Sequence, residues 1–289
     1  MLSNNRSDFR FTRARFVVDA ARFAAEAGYG SIAIQSGEIE SEAHTRFIEE
    51  TLHEIAPFGL GVTLSLGEQE EPVYRRWREA GATRYLLRIE TSDPEFYAEL
   101  HPPECSFSRR VECLRALKRC GYQTGTGVMI GVPGQTVEML ARDIAFFREI
   151  DADMIGMGPW IEHPDVPFPS TGKMVLAPQA RLRLALNMIA VVRMELKDVN
   201  IAAATALQVL DPRGREKGLL AGANVIMPNV IEATRRKTYR LYEGKPDGDE
   251  TSAAAREELA ASISALGEEI LWRQYGDSPH FHAAQVSAK

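Results

Sequence analysis

Short apolar runs alternate with longer amphipathic segments along almost the whole chain, and this rhythm restricts the fold more than any other feature. Ser31-Ile32-Ala33-Ile34-Gln35, Gly61-Val62-Thr63-Leu64-Ser65-Leu66 and Arg84-Tyr85-Leu86-Leu87-Arg88-Ile89-Glu90 read as strands, as do residues 126–130, 154–157, 201–206 and 224–227. Such runs, closed by Gly, Pro or polar residues, fit parallel strands buried on both faces. Helical patterns cover 13–27, 41–56, 72–80, 106–120, 136–150, 177–196 and 213–220, and most stop at Gly or Pro, as helix ends do. Repeated helix–strand alternation predicts βα units in a parallel sheet. A closed eight-stranded barrel needs one strand more than the seven read here. The expectation is therefore an α/β fold, a TIM-type (β/α)8 barrel with its first strand upstream of Met1. A doubly wound open sheet fits less well, because no G-x-G-x-x-G follows the early strands.

Residues 1–246 are read as the barrel, and 247–289 as a C-terminal helix over 253–272 followed by a frayed tail. Residue types then narrow the function. With 45% hydrophobic and 26% charged residues the chain can bury a large core. Its net charge of -6 speaks against a partner held by phosphate neutralisation, such as a nucleic acid. No apolar stretch approaches the ~18 residues of a membrane span, and no secretory signal is visible, so a cytoplasmic protein is expected. Three cysteines, none in a C-x-x-C pair, argue against a disulfide framework and a thiolate zinc site. Cys113 and Cys120 lie about 10 Å apart along one helix, too far to share a metal ion.

In a parallel barrel the ligand site lies at the carboxyl ends of the strands. The residues there are Gln35, Ser36, Glu38, Thr63, Ser65, Glu68, Arg88, Glu90, Met129, Gly156, Thr205 and Met227. Arg88 and Glu90 are two apart and share a strand face, which suits either a structural ion pair or a ligand contact. Polar groups on most of the strand ends point to a polar small molecule across the barrel mouth. The Gly131-Val132-Pro133-Gly134-Gln135-Thr136 loop is weak evidence by itself, and His163-Pro164-Asp165 reads as an ordinary loop.

Several motifs occur together and in order. They are Ile34-Gln35-Ser36-Gly37-Glu38, Val62-Thr63-Leu64-Ser65-Leu66-Gly67-Glu68, Arg84-Tyr85-Leu86-Leu87-Arg88 with Glu90-Thr91, and the Gly131 to Thr136 loop. Gly156-Met157-Gly158-Pro159-Trp160-Ile161 with His163-Pro164-Asp165, and Gly222-Ala223-Asn224-Val225-Ile226-Met227-Pro228-Asn229, complete the set. Over residues 9–242 the chain resembles the HydE-type maturases of [FeFe]-hydrogenase, in the biotin-synthase-like branch of the radical SAM superfamily. Methylornithine synthases share the architecture but match these motifs less closely. The resemblance implies S-adenosylmethionine (SAM) beside a [4Fe-4S] cluster, reductive cleavage of SAM to a 5′-deoxyadenosyl radical, and attack on a small-molecule substrate inside the barrel. By the same resemblance Ser36, Thr63, Ser65, Glu90 and Arg110 contact SAM. Glu90 suits its amino or ribose groups and Arg110 its carboxylate, by charge complementarity. Arg88, Thr205, Met227, Tyr239 and Tyr242 would line the substrate cavity, and other hydrogenase maturases would be the protein partners.

One departure matters most. The family ligates its cluster through Cys-x3-Cys-x2-Cys after the first strand, and this sequence has no such motif. The expectation is an N-terminally shortened copy that has no catalytic or metal-binding residue of its own and is inactive as given. Smaller departures are Ile89 where the family pattern has His, and Ala204 where a Thr precedes Thr205. The alternatives are a cluster-less barrel that only binds a small molecule or a partner maturase, and a related radical SAM carbon-skeleton enzyme.

Overall fold

The structure, a computed structural model, describes residues 5–162, 175–230 and 250–287. Strands β1 (Ser31–Gln35), β2 (Gly61–Ser65), β3 (Arg84–Leu86), β4 (Gln123–Thr126), β6 (Met154–Ile155) and β8 (Asn200–Ile201) form one ladder in that order. The registered pairs are parallel. A second parallel pair joins β5 (Met129–Ile130) to β7 (Gly158–Pro159), continuing β4 and β6 past a glycine in each. Val225 adds a single parallel bridge to Ala202 beyond β8. Seven parallel positions are thus filled among the described residues, as the alternation predicts.

The chain divides into two compact units. The first comprises Met1–Leu87, Glu112–Thr124 and Leu271–Gly276; the second comprises Arg88–Val111, Gly125–Ile270 and Asp277–Lys289.

The first unit contains helices α1 (Asn5–Glu26), α2 (Glu42–Ile55) and α3 (Glu71–Glu79). Gly28, at φ +86°, takes the left-handed turn that stops α1, a conformation costly for any residue with a Cβ. Ser41 caps α2 by accepting the His44 N–H, and Pro72 opens α3 where no helical donor is lost. The core is aromatic. Tyr85 of β3 meets Tyr74 at 5.0 Å and Tyr122 at 5.7 Å, edge to face, and stacks on Trp77 at 6.4 Å. Each polar tip has a partner: Trp77 Nε1 donates to the Thr45 carbonyl at 3.1 Å and the Tyr122 hydroxyl to the Tyr74 carbonyl at 2.7 Å. Buried Tyr and Trp need such partners, and these bonds fix the rings' orientations.

The second unit carries α4 (Pro94–Leu100), α6 (Val137–Glu149), α7 (Pro178–Glu195), α8 (Ala206–Leu210) and α9 (Gly214–Leu220), with α5 (Phe107–Arg119) divided between the units. Thr136 caps α6 by accepting the Met139 N–H, and Asp93 caps α4.

Four readings of the sequence are corrected. The third strand stops at Leu86 rather than Glu90; Glu90 lies in the left-handed region at φ +63° and makes only an isolated parallel bridge to Val128. The fourth begins earlier, at Gln123, whose buried polar neighbours Thr124 and Thr126 disguise a central strand. The helix from Ala253 ends at Ser264, and residues 271–276 pack on the first unit instead. There Arg273 donates its N–H to the Gly28 carbonyl at 2.8 Å, and a Cβ on Gly30 would lie 1.6 Å from the Gln274 carbonyl oxygen. Finally, the supposed frayed tail is a helix, Pro279–Ser287. Its His280 imidazole bonds Asp151 at 2.7 Å and Asp198 at 3.3 Å. Burial works to lower the His280 pKa, but the two carboxylates outweigh it and the net shift is upward.

Candidate functional site

On the first unit, Thr63 and Ser65 of β2 lie opposite Ala33 and Gln35 of β1. Ser36 follows β1 and donates its N–H to the Ser65 carbonyl at 3.3 Å, which sets the two serines side by side at neighbouring strand ends. The Ser36 hydroxyl donates to the Gly37 carbonyl at 2.8 Å. The loops beyond these strands touch. A Cβ on Gly67 would lie 2.1 Å from Glu38 Cγ, and Gly67 adopts φ +79°. The Tyr85 hydroxyl donates to the Gly67 carbonyl at 2.8 Å, so the aromatic core holds the β2 loop from below.

On the second unit, Arg88 and Glu90 form an ion pair at 3.0 Å, with side chains 36% and 20% exposed. The approach lacks hydrogen-bond alignment. Glu90 Oε2 and Arg88 Nε and Nη2 are buried atoms without a hydrogen bond among the described residues. Donor and acceptor capacity therefore remains for a ligand with ammonium, hydroxyl or carboxylate groups. Glu90 is also strained, since a left-handed backbone costs a residue with a Cβ about 1–2 kcal/mol. Strain of this kind persists where surroundings over-determine it. Here Glu90 donates its N–H to the Gly127 carbonyl at 3.0 Å and its carbonyl accepts the Met129 N–H at 3.2 Å.

Arg110 of α5 is 7% exposed, and its Nε donates to the Tyr97 hydroxyl at 3.4 Å. Thr205 precedes α8, and its Oγ1 accepts from Arg215 Nη2 at 3.3 Å. Arg215 in turn pairs with Glu250 at 2.8 Å. Met227 is 45% exposed. Tyr239, Tyr242 and the His163-Pro164-Asp165 segment lie outside the described residues. The Gly131 to Thr136 loop is locked by Gln135, whose Oε1 accepts the Gly131 N–H at 2.7 Å and whose Nε2 donates to the Met129 carbonyl at 2.8 Å.

Sequence reasoning missed Asp143. It is fully buried on α6, and one oxygen accepts the Ser92 N–H at 2.6 Å while Oδ2 has no hydrogen bond among the described residues. Burial pushes its pKa up to about 6, against the pull of the Ser92 hydrogen bonds and Arg142. The signal was available, because Asp143 lies on the same helix face as buried Leu140, Phe146 and Phe147, where an apolar residue is the rule. A carboxyl whose pKa rises on folding supports stability fully below its unfolded pKa, and that support is lost as pH rises through about 6. Between pH 4 and 7.5 the stability of Asp143→Asn should therefore gain about 2 kcal/mol relative to wild type. Urea unfolding at the two pH values checks this; a constant difference would contradict it.

Cys113 donates to the Gln69 carbonyl at 3.6 Å and Cys120 to the Glu71 carbonyl at 3.9 Å, both in the first unit, while Cys105 belongs to the second. Among the described residues no three His, Cys, Asp or Glu side chains converge for a metal. No described helix is long and apolar enough to cross a membrane.

Residues 3–147 match the family model described as the Radical SAM superfamily. The chain is 44% identical over 229 residues to the [FeFe] hydrogenase maturase subunit HydE of Thermotoga maritima, covering 79% of this chain and 64% of that protein. It is 25% identical over 154 residues to a biotin synthase of Persephonella marina, covering 52% and 44% of the two chains. This chain thus spans less than two thirds of the length of these relatives. Among solved structures, methylornithine synthase (PylB) superposes with a TM-score of 0.68 at 22% identity, covering 94% of this chain and 74% of that one. HydG, a maturase of the [FeFe]-hydrogenase, gives a TM-score of 0.69 at 16% identity, covering 87% and 56%. At those identities the likeness is one of fold, a partial TIM-type barrel.

Proposed function

This chain belongs to the radical SAM superfamily, and on that premise we propose that it is a HydE-like maturase barrel that holds SAM through Glu90 and Arg110 and serves assembly of the [FeFe]-hydrogenase H-cluster. The observation that carries the SAM reading is the strained Glu90 beside Arg88, an ion pair at 3.0 Å with hydrogen-bonding capacity left over. Glu90 would accept from the SAM ammonium or a ribose hydroxyl, and Arg110 would donate to its carboxylate. Ser36, Thr63 and Ser65 of the first unit are proposed as further polar SAM contacts. When bound, SAM supplies a sulfonium whose bond to the 5′ carbon breaks on one-electron reduction. Arg88, Thr205, Met227, Tyr239 and Tyr242 are assigned to the small-molecule substrate, and other hydrogenase maturases to the protein partners. A cytoplasmic setting suits three free cysteines.

The [4Fe-4S] cluster does not fit the cysteines present. The chain with only Cys105, Cys113 and Cys120 is expected to form no 5′-deoxyadenosine. Calorimetric titration tests the SAM reading, with an expected Kd of about 1 mM or tighter. No heat at several millimolar SAM would overturn it. A reconstituted chain with iron–sulfur absorbance and 5′-deoxyadenosine formation would overturn the inactivity.

A further inference from the structure

We propose that Asp143 is a positioning residue for the ligand-facing carboxylate of Glu90, acting through the backbone of the Thr91-Ser92-Asp93 segment; the proposal rests on the SAM reading of Glu90.

The backbone around Glu90 is tethered almost residue by residue. Ile89 donates its N–H to Thr126 Oγ1 at 3.2 Å, and Glu90 donates to the Gly127 carbonyl at 3.0 Å. Asp93 donates its N–H to Thr91 Oγ1 at 3.2 Å, within a segment where Thr91 is buried. Ser92, two residues past the left-handed turn, donates its N–H to Asp143 at 2.6 Å. Arg142, next to Asp143 on α6, pairs with Asp93 at 2.8 Å. Helix α6 therefore grips the chain immediately after the strained residue by a buried bond and an exposed one.

The buried bond is the informative one. A fully buried carboxyl with one oxygen lacking a hydrogen bond is expensive, and an apolar side chain on this face of α6 would be cheaper. The carboxylate supplies what an apolar residue cannot, a strong acceptor for an N–H two residues from a φ of +63°. Without that acceptor the 91–93 segment loses its internal anchor, and Glu90 can relax toward an ordinary backbone conformation. Its Cα–Cβ vector would then swing, and the carboxylate would leave its place beside Arg88. A rigidly placed carboxylate, rather than one searching among conformers, is what a ligand contact requires.

The test is a double-mutant cycle on SAM affinity in the full chain, read by calorimetry. Asp143→Leu, which removes the acceptor without leaving a cavity, should weaken SAM binding about tenfold. Asp143→Asn keeps an acceptor oxygen and should stay within about threefold of wild type. In a Glu90→Gln background Asp143→Leu should cost less than about twofold, because residues that act through one another are not additive. A general structural role would cost the same in both backgrounds, and that result overturns the proposal. If Asp143→Leu does not fold, Asp143→Ala, which likewise lacks an acceptor, replaces it in the same cycle. Binding that depends on Glu90 but not on Asp143 sinks the positioning role alone. Failure of the wild-type chain to bind SAM sinks the SAM reading, and the proposal with it.

Discussion

Gly127→Ala should cost about 3 kcal/mol or more of stability, an unusually large effect for one added methyl group. Its Cβ would lie 1.9 Å from the Gly156 carbonyl oxygen and 2.5 Å from the carbonyl carbon, and a backbone cannot turn aside as a side chain can. Nor can the strands part freely. Gly156 donates its N–H to the Thr126 carbonyl at 2.8 Å, one residue before the clash, and Gly158 to Val128 at 3.4 Å, one residue after it. Relief therefore means breaking the ladder between β4–β5 and β6–β7. The Gly127 carbonyl also accepts the Glu90 N–H, so the displacement reaches the strained residue directly. Urea unfolding of the variant checks the magnitude. A loss under about 1 kcal/mol would contradict so close an approach of the two strands.

Trp77→Ala should cost about 3–5 kcal/mol, in the range for truncating a fully buried large aromatic. Trp77 has no exposed surface, stacks on Tyr85 and donates to Thr45. Truncation removes the ring and leaves the Thr45 carbonyl without that donor. Because Tyr85 bonds the Gly67 carbonyl, the loss should also loosen the β2 loop beside Ser65 and Glu38. Trp77→Phe keeps most of the volume and should recover more than half of the loss. Equilibrium unfolding of both variants tests this; an Ala variant within about 1.5 kcal/mol of wild type would contradict an aromatic core centred on Tyr85.

Local signals carried the regular parts of the fold. The stop of α1 at Gly28 and the placing of Thr63 and Ser65 on a strand are read directly from glycine, proline and apolar spacing. Where tertiary contacts decide, the sequence misleads. Glu90 looks like the last residue of an alternating strand, and its left-handed turn is held by contacts distant in sequence, directly to Gly127 and Met129 and through Ser92 to Asp143. Residues 271 and 272 read as the end of a helix, because nothing local announces the docking of 271–276 on Gly28 and Gly30. Helix α4 was legible and passed over: Asp93 followed by Pro94 is a cap followed by a favoured first helical residue. At the site the residue types at the strand ends were legible, and their roles came from the family resemblance. The bond from Asp143 to Ser92 spans 51 positions and no periodicity encodes it.

The most direct test of the central claim, that Glu90 is a SAM contact, is the SAM affinity of Glu90→Gln measured beside Glu104→Gln, an exposed carboxylate elsewhere on the second unit. Glu90→Gln should bind SAM about tenfold more weakly than wild type, while Glu104→Gln should bind as wild type does. Equal affinities for all three chains would contradict it.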